Sequence, residues 1–65
     1  MEDQNLNEGV VNIQYQTRNG QWNTVYNTQN LPLYVLKSME QAKKIFPKAR
    51  IRAIDARTGV LVDML

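Results

Sequence analysis

The stretch Leu31–Phe46 leaves few folds open, because it reads as one amphipathic helix with no second helix to cover it. Val35, Met39, Ala42 and Phe46 recur at steps of four, three and four, which places them on one helical face. Leu36 and Ile45 widen that stripe, while Lys37, Glu40, Gln41, Lys43 and Lys44 fall mostly on the other side. Asn30 stands where an N-cap belongs, Pro32 sits in the first turn where its missing N–H is harmless, and Pro47 ends the run. Lys43, Lys44 and Lys48 crowd the C-terminal end, where positive charge complements the helix dipole. Such a helix has to bury its stripe on something, and the segments on either side supply it.

Before the helix, Val10–Thr28 reads as a hairpin. Asn19-Gly20 is a strong signal for a two-residue type I′ turn, whose central residues both need positive φ. A turn there pairs Arg18 with Gln21, Thr17 with Trp22, Tyr15 with Thr24 and Ile13 with Tyr26. One face then carries Val11, Ile13, Tyr15, Thr17, Trp22, Thr24 and Tyr26, and the other carries Asn12, Gln14, Gln16, Asn23 and Asn27, with Val10 and Val25 as exceptions. The aromatic face is expected to meet the helix, which makes Trp22 a core residue.

After the helix, residues 50–56 and 60–65 flank Arg57-Thr58-Gly59, a natural three-residue loop with Gly59 left-handed. This pairs Ala56 with Val60, Ile54 with Val62 and Arg52 with Met64. Ile54, Ala56, Val60, Val62 and Met64 form the face expected under the helix. The opposite face holds Ile51, Ala53, Asp55, Leu61, Asp63 and Leu65, too apolar to be left bare, and it is the candidate protein interface. Its occupant is a second copy of the chain, another protein, or the chain's own N-terminal tail. The fold class is α+β, in the order ββαββ, with one helix on one face of an antiparallel sheet. Which strand of the second hairpin joins the first is open at this level.

Sixty-five residues make a single domain, here residues 10–65, preceded by a polar acidic tail over residues 1–9 that is expected to be disordered. A core this small supplies at most about 3–5 kcal/mol. With neither cysteine nor histidine present, there is no disulfide and no zinc site of the usual kind, and a reducing compartment is the expected home. No apolar run approaches the roughly 18 residues of a membrane span. The expected location is the cytoplasm.

Net charge is +2, but its distribution matters more than its size. Glu2, Asp3 and Glu8 lie in the tail, and every Lys and Arg except Arg18 lies between Lys37 and Arg57, opposed there by Glu40 and Asp55 alone. Lys37, Lys44, Lys48, Arg50 and Arg52 form the candidate basic surface. A solvated helix face with hairpin edges kept from aggregating by charge is one account of this segment, and a surface for an acidic partner, nucleic acid or an acidic protein, is the functional alternative. Catalysis has little to stand on. There is no His or Cys nucleophile system, the one serine, Ser38, lies in the helix, and no Gly-rich phosphate loop is present. Asp55 and Asp63 share a hairpin face, but carboxylates beside Arg50, Arg52 and Arg57 are ordinarily solvated or ion-paired. No enzyme and no cofactor are expected.

The run Val11–Val25 with its aromatic hairpin and Trp22, then the helix, then Arg50-Ile-Arg-Ala-Ile-Asp-Ala-Arg-Thr-Gly-Val60, resembles small proteins of bacteriophage genomes that share these three parts. The resemblance implies an accessory protein that binds a host or viral component, acting in the host cytoplasm, and it brings no catalytic motif. Two readings of function follow. The first is a non-catalytic protein-binding module, with homodimerisation through the second hairpin. The alternative is a small basic nucleic-acid-binding protein, against which stands the expected burial of Tyr15, Trp22 and Tyr26 under the helix.

Overall fold

The computed structural model describes residues 9–65; residues 1–8 of the tail, with Leu6, lie outside them. Four strands and one helix follow in the order β1 (Val10–Gln16), β2 (Trp22–Gln29), α1 (Pro32–Ile45), β3 (Ile51–Asp55) and β4 (Leu61–Met64). All four strands join one antiparallel sheet in the order β2-β1-β3-β4. The ββαββ architecture holds, and β1–β3 pairing is the junction between the hairpins.

The helix lies across β2, β1 and β3. Val35, Met39 and Ala42 point into the sheet as their spacing requires, and they meet Val11, Ile13, Ile51 and Ala53. These seven side chains are the buried core, and Tyr15, Val25 and Tyr26 pack around them. Phe46 finishes the stripe one residue beyond the helix, its ring stacked on Tyr15. Two expectations about the helix fail. Its N-cap is Leu31 with no side-chain cap bond, because Pro32 already occupies the first helical position. Leu36 and Ile45 do not widen the buried stripe, since a helix resting on a flat sheet buries only its narrow lower face, and both stay exposed.

The first hairpin turns differently from a two-residue loop. Thr17 and Gln21 close the turn, with the Thr17 N–H on Gln21 O at 2.7 Å and the Gly20 N–H on Thr17 O at 2.9 Å. Arg18-Asn19-Gly20 is thus a three-residue loop with Gly20 at φ +89°. The extra loop residue shifts the register by one, so Trp22 faces Gln16 and Thr24 faces Gln14. A bulge at Val25 then restores Ile13 opposite Tyr26. The consequence is a correction: Tyr15 and Tyr26 stay on the helix side, but Trp22 and Thr24 lie on the other face of the sheet. Phe46, stacked on Tyr15, fills the space beneath the end of α1 that Trp22 was expected to take.

The second hairpin presents the opposite face to the one expected. β1 pairs with β3 as Val11–Asp55, Ile13–Ala53 and Tyr15–Ile51, so Ile51 and Ala53 share the helix side with Val11 and Ile13. Both are fully buried. They belong to the core, so the candidate interface loses Ile51 and Ala53. The physical reason is the alternation Arg50-Ile51-Arg52-Ala53: burying Ile54 under the helix would carry Arg52 in with it. The connecting loop has four residues, Ala56–Gly59, because Asp55 rather than Ala56 closes it through its N–H on Val60 O at 2.9 Å. Arg52 pairs with Met64 as expected, but a bulge at Val62 sets Ile54 against Leu61.

Candidate nucleic-acid interface

The helix covers one face of the sheet and leaves the other open. Strand alternation and the registers place the open-face residues in rows. One row runs Thr24–Gln14–Arg52–Met64 across all four strands. The next holds Trp22 and Gln16, with Arg50 beside them through the Gln16 N–H on Arg50 O at 3.0 Å. On the other side lies the row Asn27–Asn12–Ile54–Leu61.

Side chains in the first two rows are tied together. The Arg52 guanidinium lies 4.0 Å over the Trp22 ring. Its Nε–H donates to Gln14 Oε1 at 2.8 Å, and Gln14 Nε2 donates to Thr24 Oγ1 at 3.1 Å. The Arg52 plane is therefore held by a stack and a hydrogen bond, and among the described residues no carboxylate neutralises it. Arg50 leans toward β4, its Nη2 donating to Met64 Sδ at 3.2 Å. A cation over an indole contributes about 0.5–1 kcal/mol at exposed sites, enough to favour one arrangement of the pair.

Where the Trp22 row ends, an open groove of about 280 Å³ runs between the first hairpin and the turn leading into β3. Gln16, Thr17, Arg18, Lys48, Ala49 and Arg50 line it. Two bonds set the position of that turn: Lys43 Nζ donates to Ala49 O at 2.8 Å, and the Ala49 N–H reaches Phe46 O at 3.1 Å. Arg18, Lys48 and Arg50 thus line one groove with Gln16, the strand partner of Trp22, and Arg52 lies in the next row over the Trp22 ring.

The carboxylates lie elsewhere. Asp55 pairs with Val11 and Asp63 with Ala53, both on the helix side, and Glu40 is on the helix. Among the described residues the open face carries no negative side chain. Asp55 Oδ1 accepts the backbone N–H groups of Thr58 at 3.0 Å and Arg57 at 2.9 Å, and these two bonds hold its carboxyl below the ordinary value of 3.8. Its role is to fasten the β3–β4 loop.

The candidate basic surface divides. Lys48, Arg50 and Arg52 come together, and Arg18, absent from that set, joins them. Lys37 and Lys44 sit on α1, in the opposite layer; Lys37 borders a separate pocket of about 200 Å³ with Tyr26, Ser38 and Gln41. Of the candidate protein interface, Leu61, Asp63 and Leu65 stay exposed on or next to β4. Among the described residues no helix is long and apolar enough to cross a membrane. Comparison with protein families, curated proteins and solved structures finds no match.

Proposed function

We propose that this chain is a non-catalytic module that binds single-stranded nucleic acid on the open face of its sheet. The observation that carries this reading is the position of Trp22: it lies outside the core, under Arg52, in the row that leads to the groove of Arg18, Lys48 and Arg50, on a face with no carboxylate among the described residues. The objection from the sequence was that the aromatic residues would be buried together. For Trp22 that objection falls.

The chemistry runs from the backbone inward. Arg18, Lys48 and Arg50 line a groove that suits a phosphate chain, and Arg52 adds a fourth positive group on the same face. The Trp22 ring and the Arg52 guanidinium offer planes on which an unpaired base stacks. Gln14, Gln16, Thr24 and Asn12 supply donors and acceptors along the face to base edges. A duplex keeps its bases stacked on each other and offers none of them to Trp22, so single strands are preferred.

Four phosphate contacts on a single strand give a slope of log Kobs against log salt of about −3, or about a 50-fold loss between 50 and 200 mM salt. The test is fluorescence anisotropy of a labelled oligothymidylate and of a duplex of equal length, at both salt concentrations. Wild type is expected to bind the single strand more tightly, and Lys48→Glu/Arg50→Glu, which spares the core, to lose at least tenfold in affinity. No binding of the single strand at about 100 µM protein and low salt, the weak end of non-specific affinity, overturns the proposal.

A further inference from the structure

Arg52 meets its neighbours with only part of its guanidinium. The Nε–H is spent on Gln14 Oε1 at 2.8 Å, and the group rests 4.0 Å over the Trp22 ring. The two terminal nitrogens make no hydrogen bond among the described residues. What is left is the end of the fork, two N–H groups in one plane that bind two adjacent acceptors at once. Gln14, opposite Arg52 in the β1–β3 register, adds a constraint of the same sign. An arginine N–H needs an acceptor, so the amide turns Oε1 toward Arg52 and Nε2 toward Thr24 Oγ1. Its Oε1 already holds the Arg52 proton, while the second Nε2 hydrogen is unspent. The pair is therefore weighted toward donors.

On the single-strand reading proposed above, we infer that Arg52 selects the base that binds, and that the base is guanine. Arg18, Lys48 and Arg50 line the groove that suits phosphates, whereas Arg52 stands among Trp22, Gln14 and Thr24, which suit bases. An unpaired base exposes its Watson–Crick and Hoogsteen edges. The end of the fork asks for two acceptors side by side. Guanine supplies them as O6 and N7, while adenine sets its N6 donor beside both N1 and N7. Thymine and uracil place an N–H between their two oxygens. Cytosine has N3 and O2 together, but its smaller ring gains less from stacking. A strand without guanine leaves Arg52 as the fourth phosphate contact; a guanine within reach takes the fork instead.

Anisotropy of four labelled strands tests this on the wild-type protein: an oligothymidylate, and the same strand with guanine, cytosine or 7-deazaguanine at its centre. At 200 mM salt the guanine strand is expected to bind about tenfold tighter than oligothymidylate, the worth of one bidentate base contact. Its slope of log Kobs against log salt should shrink from about −3 to about −2, because one phosphate contact is given up. 7-Deazaguanine keeps O6 and the ring but lacks the N7 acceptor, and it is expected to lose most of the gain. Arg52→Lys keeps the charge and removes the fork, so its ratio of guanine to thymine affinity should fall to about one. Equal affinity of wild type for the guanine and thymine strands overturns the inference and leaves the single-strand reading standing. Failure of every strand to bind overturns both. A guanine preference that 7-deazaguanine retains, or that survives in Arg52→Lys, overturns the assignment to Arg52. Cytosine bound as tightly as guanine overturns the choice of base.

Discussion

Tyr15 and Phe46 stack with ring centroids 3.8 Å apart and planes 8° from parallel, fastening the end of α1 to the central strand β1. The stack closes the helix side of the sheet at the end where the basic groove opens on the other side. It also fills the space beneath α1 that Trp22 leaves, since the register of the first hairpin turns Trp22 to the other face.

Phe46→Ala is expected to destabilise the domain by about 2–3 kcal/mol, combining lost burial of a half-buried ring with the loss of a stacked pair. In a chain of this size that lowers the melting temperature by well over 10 °C. A thermal melt checks it.

Met39→Ala and Trp22→Ala should behave in opposite ways. Met39 is fully buried at the centre of the core, and its truncation costs about 2–5 kcal/mol, comparable with the whole stability available. Trp22→Ala gives up the Arg52 stack and part of its burial, and the domain is expected to stay folded with a loss of under about 2 kcal/mol. The affinity for single strands should fall by about 1–3 kcal/mol, the usual worth of one stacked base. Chemical denaturation of both variants beside a binding titration separates the two roles.

Asp55 links stability to pH. Its carboxylate is stabilised in the folded state by the Thr58 and Arg57 N–H groups, so its folded pKa is below the unfolded one. The stability it contributes is present above the ordinary carboxylate value of 3.8 and is lost as pH falls through the lowered folded value. Asp55→Asn keeps an acceptor for the loop and removes the titration. Melting temperatures of the two proteins are expected to converge as the pH is lowered through this window, with wild type the more stable at neutral pH.

Removing residues 1–7 takes away Glu2 and Asp3 and raises the net charge from +2 to +4. Single-strand affinity at low salt is expected to rise about two- to threefold, and the difference to vanish at high salt, where charges beyond about 10 Å are screened. The same anisotropy titration measures it.

Much of the fold was legible because its signals are periodic. Val35, Met39 and Ala42 at helical spacing, and Val11 and Ile13 at strand spacing, name most of the core without further help. The face assignments were harder, since each hangs on one residue of register. Asn19-Gly20 favours a two-residue turn, but Thr17 and Gln21 close a three-residue one, and that single step carries Trp22 from the helix side to the open face. The Val25 bulge hides the shift by returning Tyr26 to its expected place. In β3 the signal was present and outweighed by apolar content: Arg50 and Arg52 alternate with Ile51 and Ala53, and a central strand sends its arginines to solvent. Arg18 stands alone in the sequence and joins Lys48 and Arg50 only when the hairpin tip and the turn after α1 meet in space.

Trp22 is the only tryptophan, so its emission reports on the open face alone. The most direct test is a titration of the wild-type protein with a short oligothymidylate, followed by tryptophan fluorescence at several salt concentrations. Stacking on Trp22 predicts saturable quenching, with log Kobs falling against log salt at a slope of about −3. Emission that stays unchanged at low salt, through an excess of oligonucleotide, would contradict the assignment of this face to nucleic acid.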